Sequence, residues 1–117
     1  MAGLSTHVLD TSSGKPAAGM TVEFSVLDGG NWRVLKTLKT NVDGRPDEPL
    51  LAATDMKAGE YRLVFHVADY FRKQGETLPE PPFLDCVPLR FGIANVNAHY
   101  HVPLLCSPWS YSTYRGS

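Results

Sequence analysis

This sequence has few cysteines, no long apolar run and almost no net charge. Each of these three features excludes a class of protein. Two cysteines are too few for a disulfide scaffold. Eleven basic and twelve acidic residues give a net charge of −1, which provides no electrostatic attraction for nucleic acid. No apolar run approaches the roughly 20 residues of a membrane span, and the first residues lack the order of a signal peptide. We therefore expect a soluble, cytoplasmic protein that binds neither nucleic acid nor membrane.

The length of 117 residues gives room for one domain, which we expect to span residues 1–117. A domain of this size buries roughly two-thirds of the surface that its unfolded chain exposes, so one apolar core can stabilise it. Cys86 and Cys106 are expected to be buried thiols in a reducing compartment, because free cysteine is among the most buried residue types. The sequence alone leaves open whether they can pair.

Alternating apolar and polar residues indicate short β-strands along most of the chain. Nine prolines and ten glycines separate these strands at intervals typical of an antiparallel β-sandwich, which predicts an all-β fold. One segment, residues 69–74, is predicted to be helical, with Asp69 at its start and Gly75 after its end. Pro88 and Pro103 lie inside predicted strands, where their missing N–H groups must face an edge, a bulge or solvent. The predicted strands cover residues 4–10, 21–26, 32–40, 61–67, 83–93, 99–106 and 109–114.

The pleat of a strand puts alternate side chains on opposite faces, so the direction of each histidine can be predicted. Val8 is a better core residue than His7, which sends His7 to the outer face of its sheet. The same comparison for the strand at 99–106 sends His99 and His101 outward. Beside these histidines the outer face carries three apolar residues, Leu9, Pro103 and Leu105.

Apolar side chains on an outer sheet face suggest that a partner subunit covers that face. A histidine pair in such a covered groove has its charged form disfavoured by desolvation and by the neighbouring imidazole. Neutral imidazole near pH 7 is what a general base requires. The pattern therefore indicates a groove in which histidine can accept a proton.

Four segments in a fixed order carry a family resemblance. They are LSTHVLD at 4–10, DGR at 43–45, HYHVPLL at 99–105 and SPWSYSTYRGS at 107–117. Their order, their spacing and the terminal Tyr-Arg-Gly-Ser resemble the 5-hydroxyisourate hydrolases, the transthyretin-related enzymes of urate breakdown. The resemblance spans the whole chain, and its terminal tetrapeptide is highly specific.

This resemblance implies a transthyretin-like sandwich of two four-stranded sheets with one short α-helix. It also implies a homotetramer, a dimer of dimers, whose central channel is walled by the outer sheet faces. The implied reaction is hydrolysis of the N1–C6 amide of 5-hydroxyisourate to 2-oxo-4-hydroxy-4-carboxy-5-ureidoimidazoline, without a metal or another cofactor. Since relatives can be peroxisomal or periplasmic, the compartment stays open.

The family's functional positions fall on seven residues: catalytic His7, Arg45 and His101, and substrate-binding Tyr114, Arg115, Gly116 and Ser117. We expect direct attack by water, because the sequence offers no nucleophile with an adjacent base of the serine–histidine kind. His101 is the predicted general base, and His7 orients or shares the proton. Arg45 is predicted to clamp substrate oxygens and to stabilise charge at the attacked carbonyl. The terminal tetrapeptide is expected to close the pocket.

Other interpretations stay open at this level. The His-x-His pair on one strand could form a three-histidine zinc site with His7. A transthyretin-like carrier would bind a small ligand without catalysis, although a passive apolar channel has no need of His7, Arg45 or His101. A structural or adhesion sandwich would leave 5-hydroxyisourate unchanged. The sequence does not determine which histidine takes the proton or whether His99 participates.

Overall fold

The computed structural model describes residues 2–116, which form eight β-strands, one α-helix and one 3₁₀ turn. The helix α1 (Val67–Lys73) directly follows the fifth strand, and the 3₁₀ turn is Ala53–Asp55. The strands are β1 (Gly3–Asp10), β2 (Lys15–Pro16), β3 (Thr21–Asp28), β4 (Asn31–Lys39), β5 (Gly59–His66), β6 (Cys86–Ile93), β7 (His99–Cys106) and β8 (Tyr111–Thr113).

The strands form two four-stranded sheets, sheet A in the order β2-β1-β7-β8 and sheet B in the order β4-β3-β5-β6. This architecture confirms the predicted transthyretin-like sandwich with one short helix. One pairing departs from the antiparallel expectation, because β1 and β7 run parallel. Parallel neighbours need a long connection, and all of sheet B lies between these two strands in the chain.

The apolar core lies between the two sheets and determines which face of each strand points inward. Val8 and Leu104 of sheet A are fully buried, as are Phe24, Leu63 and Phe65 of sheet B. Each of these side chains stabilises the fold by roughly 1.5–3 kcal/mol through removal of its apolar surface from water. The opposite face of β1 and β7 is consequently left for polar residues.

The helix starts two residues earlier than the predicted 69–74, because packing rather than capping determines its first turn. Its N-cap position, His66, makes no side-chain cap hydrogen bond, and Asp69 forms an ion pair with Arg72 at 3.5 Å instead. Gly75 follows the helix with φ +90°, and its N–H donates to the carbonyl of Arg72, as predicted. No helix within the described residues is long and apolar enough to cross a lipid bilayer.

Two late strands are shorter than their alternation predicts. β6 begins at Cys86 rather than at residue 83, because its partner strand β5 ends opposite, at His66, where the helix begins. β8 ends at Thr113 because the next residue of β7 on that ladder, Pro103, has no N–H to donate. Pro88 lies on β6, an edge strand of sheet B, in agreement with its missing donor.

The two cysteines occupy different environments. Cys106 is fully buried, as expected, whereas the expectation of a buried Cys86 is wrong, because its position at the start of an edge strand leaves it exposed. Both thiols are free. Burial, and then the nearby charge of Asp10, raise the pKa of Cys106 to about 12, so this thiol stays protonated at neutral pH.

Asp10, at the end of β1, is a buried carboxylate that joins the helix to sheet A. Its Oδ1 accepts hydrogen bonds from Ser12 N–H and Oγ–H and from Ser13 N–H, and its Oδ2 accepts from the Tyr70 hydroxyl at 2.9 Å. Burial by itself would raise the pKa of Asp10, but these hydrogen bonds outweigh it and lower the pKa below its ordinary value. The carboxylate therefore remains charged and satisfied inside the protein.

We expect Tyr70→Phe to lower the free energy of unfolding by about 1.5–3 kcal/mol, because a hydrogen bond to an ionised acceptor is lost while the ring stays buried. Urea unfolding at pH 7 measures this loss. The matched control is Tyr61→Phe, which removes a hydroxyl that donates to the neutral carbonyl of Lys57 at 2.7 Å and should cost about 0.5–1.5 kcal/mol. Equal losses in the two variants would contradict the role of the charged acceptor.

Candidate active site

The parallel pairing of β1 and β7 brings the predicted histidines to one face of sheet A. In its register Ser5 lies directly opposite His101, and His7 follows two residues further along the same face. His7 and His101 are half-buried, and their ring centroids are 6.4 Å apart. The outward direction predicted for both is therefore confirmed, since their neighbours Val8 and Val102 are buried in the core.

A main-chain carbonyl determines the tautomer of His7. Its Nε2 lies 2.9 Å from the carbonyl oxygen of Asp43, and because a carbonyl can only accept, Nε2 carries the proton. Burial, and then the charge of Arg45, lower the pKa of His7, and the carbonyl and carboxylate of Asp43 oppose only part of that shift. Neutral His7 therefore presents Nδ1 as a free acceptor near pH 7.

His101 is held by Ser5, a residue outside the catalytic set predicted from the sequence. Ser5 Oγ lies 2.8 Å from Nδ1 of His101 and 3.4 Å from Nε2 of His99. Burial, and then the charges of Arg45, His7 and His99, lower the pKa of His101 below its ordinary value. His101 is consequently neutral at pH 7, and Nε2 is the nitrogen available to a water molecule.

Arg45 is brought to the histidines by a tight loop that Asn41 organises. Asn41 Oδ1 accepts from the N–H groups of Asp43 and Arg45 at 2.9 and 3.2 Å, and its own N–H donates to the Arg45 carbonyl at 2.8 Å. The loop is joined to β1 by the N–H of Val8, which donates to the carbonyl of Gly44 at 2.8 Å. Arg45 is exposed, yet close enough for its charge to lower the pKa of both histidines.

The terminal segment reaches the same histidine through the main chain. The N–H of Gly116 donates to the carbonyl of His101 at 2.7 Å, which forms a bridge to β7 beyond the end of β8. A Cβ on Gly116 would lie 2.8 Å from Cδ2 of the His101 ring, closer than Cβ atoms come to other groups. Only a glycine allows the tail to lie this close to the imidazole.

Tyr114 and Arg115 of the predicted tail lie in surroundings that differ from those of Gly116. Tyr114 is 60% exposed. The guanidinium of Arg115 lies over the ring of Tyr100, 4.1 Å from its centroid, and donates to the main-chain carbonyl of His99 at 3.3 Å. Because Tyr100 is on the core face of β7, Arg115 is directed away from the histidines in this single chain. Ser117 lies outside the described residues.

A shallow cavity adjoins this group of residues. It has a volume of about 220 Å³ and is lined by Ser5, Thr6, Arg45 and residues 46–49, which include Asp47 and Glu48. A larger cavity of about 490 Å³ lies between β4 and the same 46–49 segment and contains none of the histidines. Ser5 and Arg45 therefore border the smaller of these two cavities, and no histidine lines either one.

Among residues 2–116, no three histidine, cysteine, aspartate or glutamate side chains come together as a metal site. Ser5 and Asn41 are site residues that the sequence alone did not identify, although each leaves a signal. Ser5 has the same strand parity as His7, and Asn41 precedes Asp-Gly in a turn where asparagine bonds its own backbone two residues on. What the sequence does not show is that Ser5 lies across from His101.

The comparisons with known proteins match almost the whole chain. Residues 4–116 match the protein-family model described as "Transthyretin: HIUase/Transthyretin family". The chain is 60% identical over 114 residues to 5-hydroxyisourate hydrolase of Mesorhizobium japonicum. The match covers 97% of this chain and 91% of that protein. It is similar to the structure of Klebsiella pneumoniae 5-hydroxyisourate hydrolase, with a TM-score of 0.80, 36% identity and full coverage of both chains.

A further similar structure is sea bream transthyretin in complex with thyroxine, with a TM-score of 0.84 and 30% identity. That match covers 97% of this chain and 93% of the transthyretin chain. The similarity therefore includes both an enzyme and a ligand-binding protein on one fold. By its sequence and its fold, the chain belongs to the HIUase/transthyretin family.

Proposed function

We propose that this protein is a 5-hydroxyisourate hydrolase, which opens the ring at the N1–C6 amide to give 2-oxo-4-hydroxy-4-carboxy-5-ureidoimidazoline in the degradation of urate to allantoin. The observation that carries the proposal is a pair of half-buried histidines held neutral beside Arg45 on one face of sheet A. A passive carrier channel has no need of two neutral bases next to a guanidinium. The 60% identity to a protein named for this activity is independent support.

In the proposed mechanism, His101 is the general base. Its Nδ1 is engaged by Ser5, so Nε2 takes a proton from the water that attacks the C6 carbonyl carbon. His7 offers Nδ1 on the same face and orients that water. The water oxygen bonds to the carbonyl carbon, the ring C–N bond breaks, and the proton passes to the ring nitrogen. A positioned base of this kind contributes about 10²–10⁴-fold to the rate.

Arg45 supplies the positive charge of the proposed site. Its guanidinium holds substrate oxygens and stabilises the negative charge that develops on the attacked carbonyl. Burial, and then the same charge, lower the pKa of both imidazoles and keep them neutral, because a buried second cation beside a guanidinium is disfavoured. We assign substrate binding to the tail, Tyr114, Arg115, Gly116 and Ser117, and no cofactor to the reaction.

We also propose that four copies form the working site as a dimer of dimers. Leu9 and Leu105 are half-buried apolar residues on the outer face beside the histidines, a surface that a partner subunit would cover. β8 in sheet A and β6 in sheet B are edge strands, as are β2 and β4, and an edge strand can pair with another copy. Dilution should then reduce specific activity together with the tetramer fraction, which sedimentation velocity measures.

The function is tested by the ultraviolet-monitored decay of 5-hydroxyisourate generated in place by urate oxidase. We expect decay faster than the spontaneous rate, in proportion to protein concentration and unaffected by a chelator. Activity that vanished with the chelator and returned with zinc would instead support a three-histidine metal site. Decay at the spontaneous rate, combined with saturable thyroxine binding, would support a carrier.

We expect Gly116→Ala to lower kcat by about 10–100-fold, because displacing a catalytic group by about 1 Å can cost that much. The added methyl group must push the tail or the His101 ring out of place. Gly92→Ala is the matched control, since the nearest atom to its Cβ is at 3.9 Å, an ordinary contact. A Gly116→Ala variant with the kcat of Gly92→Ala would show that the tail does not position His101.

A further inference from the structure

We propose that Ser5 and His99 form a proton relay behind His101, which moves the positive charge gained when His101 takes a proton from water to the solvent-exposed His99. The proposal rests on the proposed hydrolase function and extends it to two residues outside the predicted catalytic set. Ser5 and His99 act through His101 and are therefore positioning residues. Together the three side chains make one hydrogen-bonded chain on the outer face of sheet A.

The register of β1 and β7 places the hydroxyl between the two imidazoles. Ser5 lies opposite His101, and Gly3 lies opposite His99, so Ser5 faces both histidines of the His-x-His pair. Its Oγ is 2.8 Å from Nδ1 of His101 and 3.4 Å from Nε2 of His99. A hydroxyl has one proton to donate and lone pairs with which to accept. It can therefore donate to one imidazole while it accepts from the other.

Proton movement along this chain connects two arrangements of the same groups. In the first, Nδ1–H of His101 donates to Ser5 Oγ, Ser5 donates to Nε2 of His99, and Nε2 of His101 is a free base. When Nε2 takes a proton from water, Nδ1 passes its proton to Ser5, and Ser5 passes its own to His99. His101 is then the neutral Nε2–H tautomer, and His99 is an imidazolium.

The same steps in reverse complete the reaction. As the ring C–N bond breaks, Nε2–H of His101 gives its proton to the ring nitrogen, and Nδ1 recovers a proton from Ser5. Ser5 recovers its own from His99, which becomes neutral again. The relay therefore gains and loses no proton over the cycle, and one water molecule is added to the substrate.

The surroundings of the two histidines favour a positive charge on His99 over one on His101. His101 is half-buried and faces Arg45, whereas His99 is exposed and can be solvated as an imidazolium. The guanidinium of Arg115 is directed to the core face and bonds the main chain of His99 rather than its ring. The charged and titratable groups around the relay are His7, Arg45, Asp47, Glu48 and Arg115.

Steady-state kinetics on 5-hydroxyisourate test the relay. Ser5→Ala is expected to lower kcat about tenfold or more with little change in KM, because the base loses its proton outlet. His99→Gln should lower kcat by a similar factor, and the double variant no further than either single one. Ser5→Thr keeps the hydroxyl and should retain the parent kcat. Additive losses in the double variant, or the parent kcat in Ser5→Ala, would overturn the relay.

Nitrogen-15 NMR of the histidine rings tests the relay without catalysis. In the parent, neutral His101 is expected to be the Nδ1–H tautomer, and its ring signals should shift when His99 is replaced by glutamine. In Ser5→Ala the tautomer balance of His101 should change, and the His99→Gln substitution should no longer shift the His101 signals. Unchanged spectra in Ser5→Ala would overturn the relay even in an active enzyme. The expected spectra in a protein inactive on 5-hydroxyisourate would overturn only the hydrolase function.

Discussion

Replacing His101 with asparagine is expected to lower kcat for 5-hydroxyisourate at least about 100-fold while the fold stays intact. An asparagine amide can still meet Ser5 across the β1–β7 pair, so the strand contact can persist. It cannot accept a proton from water, which is the step assigned to Nε2 of His101. The urate oxidase-coupled assay measures kcat, and circular dichroism with thermal unfolding checks the fold.

The pH profile gives a second measurement of the same role. Burial and the charge of Arg45 lower the pKa of His101 below the ordinary histidine value of about 6.5, so the base is neutral at pH 7. As the pH falls through that lowered pKa, the imidazole gains a proton and kcat decreases. The parent should therefore lose activity on acidification. The residual activity of His101→Asn should decrease less on acidification, because His101 no longer contributes to the decrease.

A histidine on the other sheet provides the control for this substitution. Nε2 of His66 bonds Glu23 at 2.7 Å on sheet B, away from the proposed site, and His66→Asn should keep the parent kcat. A His101→Asn variant slowed only as much as His66→Asn would contradict the general-base role. A strong loss of activity with an unchanged acid limb would assign that limb to another group, with His7 the first candidate.

Gly44→Ala is expected to lower the free energy of unfolding by roughly 2–4 kcal/mol and to displace Arg45 from the histidines. Gly44 has φ +75°, and an added Cβ would collide with the main-chain carbonyl of Val8 and lie 3.2 Å from the nitrogen of Ala17. Both neighbours are main-chain atoms, so the loop rather than a side chain must move. That movement breaks the bond from Val8 N–H to the Gly44 carbonyl, which joins the loop to β1.

The matched control is Gly14→Ala, because Gly14 has nearly the same φ, +73°, with no atom within 4 Å of its Cβ. Gly14→Ala should lower the free energy of unfolding by about 1–2 kcal/mol, the cost of the left-handed conformation alone. Urea unfolding measures both variants, and kcat should fall about tenfold or more in Gly44→Ala but not in Gly14→Ala. Equal stabilities and equal kcat values for the two variants would show that the Gly44 loop does not position Arg45.

Local signals in the sequence predicted the strands and their faces well. The alternation around Val8 and Leu104 identified the core face of β1 and β7, and with it the outward direction of His7 and His101. Local signals were weaker where packing competes with them. The helix begins at Val67 because buried side chains hold its first turn, although Asp69 looks like a better start.

By itself, the sequence determined the all-β class, the outward histidines and the Asp-Gly-Arg loop, because each depends on residues a few positions apart. Only the tertiary structure decided that β1 runs parallel to β7, that Ser5 lies opposite His101, and that Gly116 meets the imidazole. These contacts join residues from opposite ends of the chain or from different strands. Their register depends on the packing of the two sheets, which no local pattern contains.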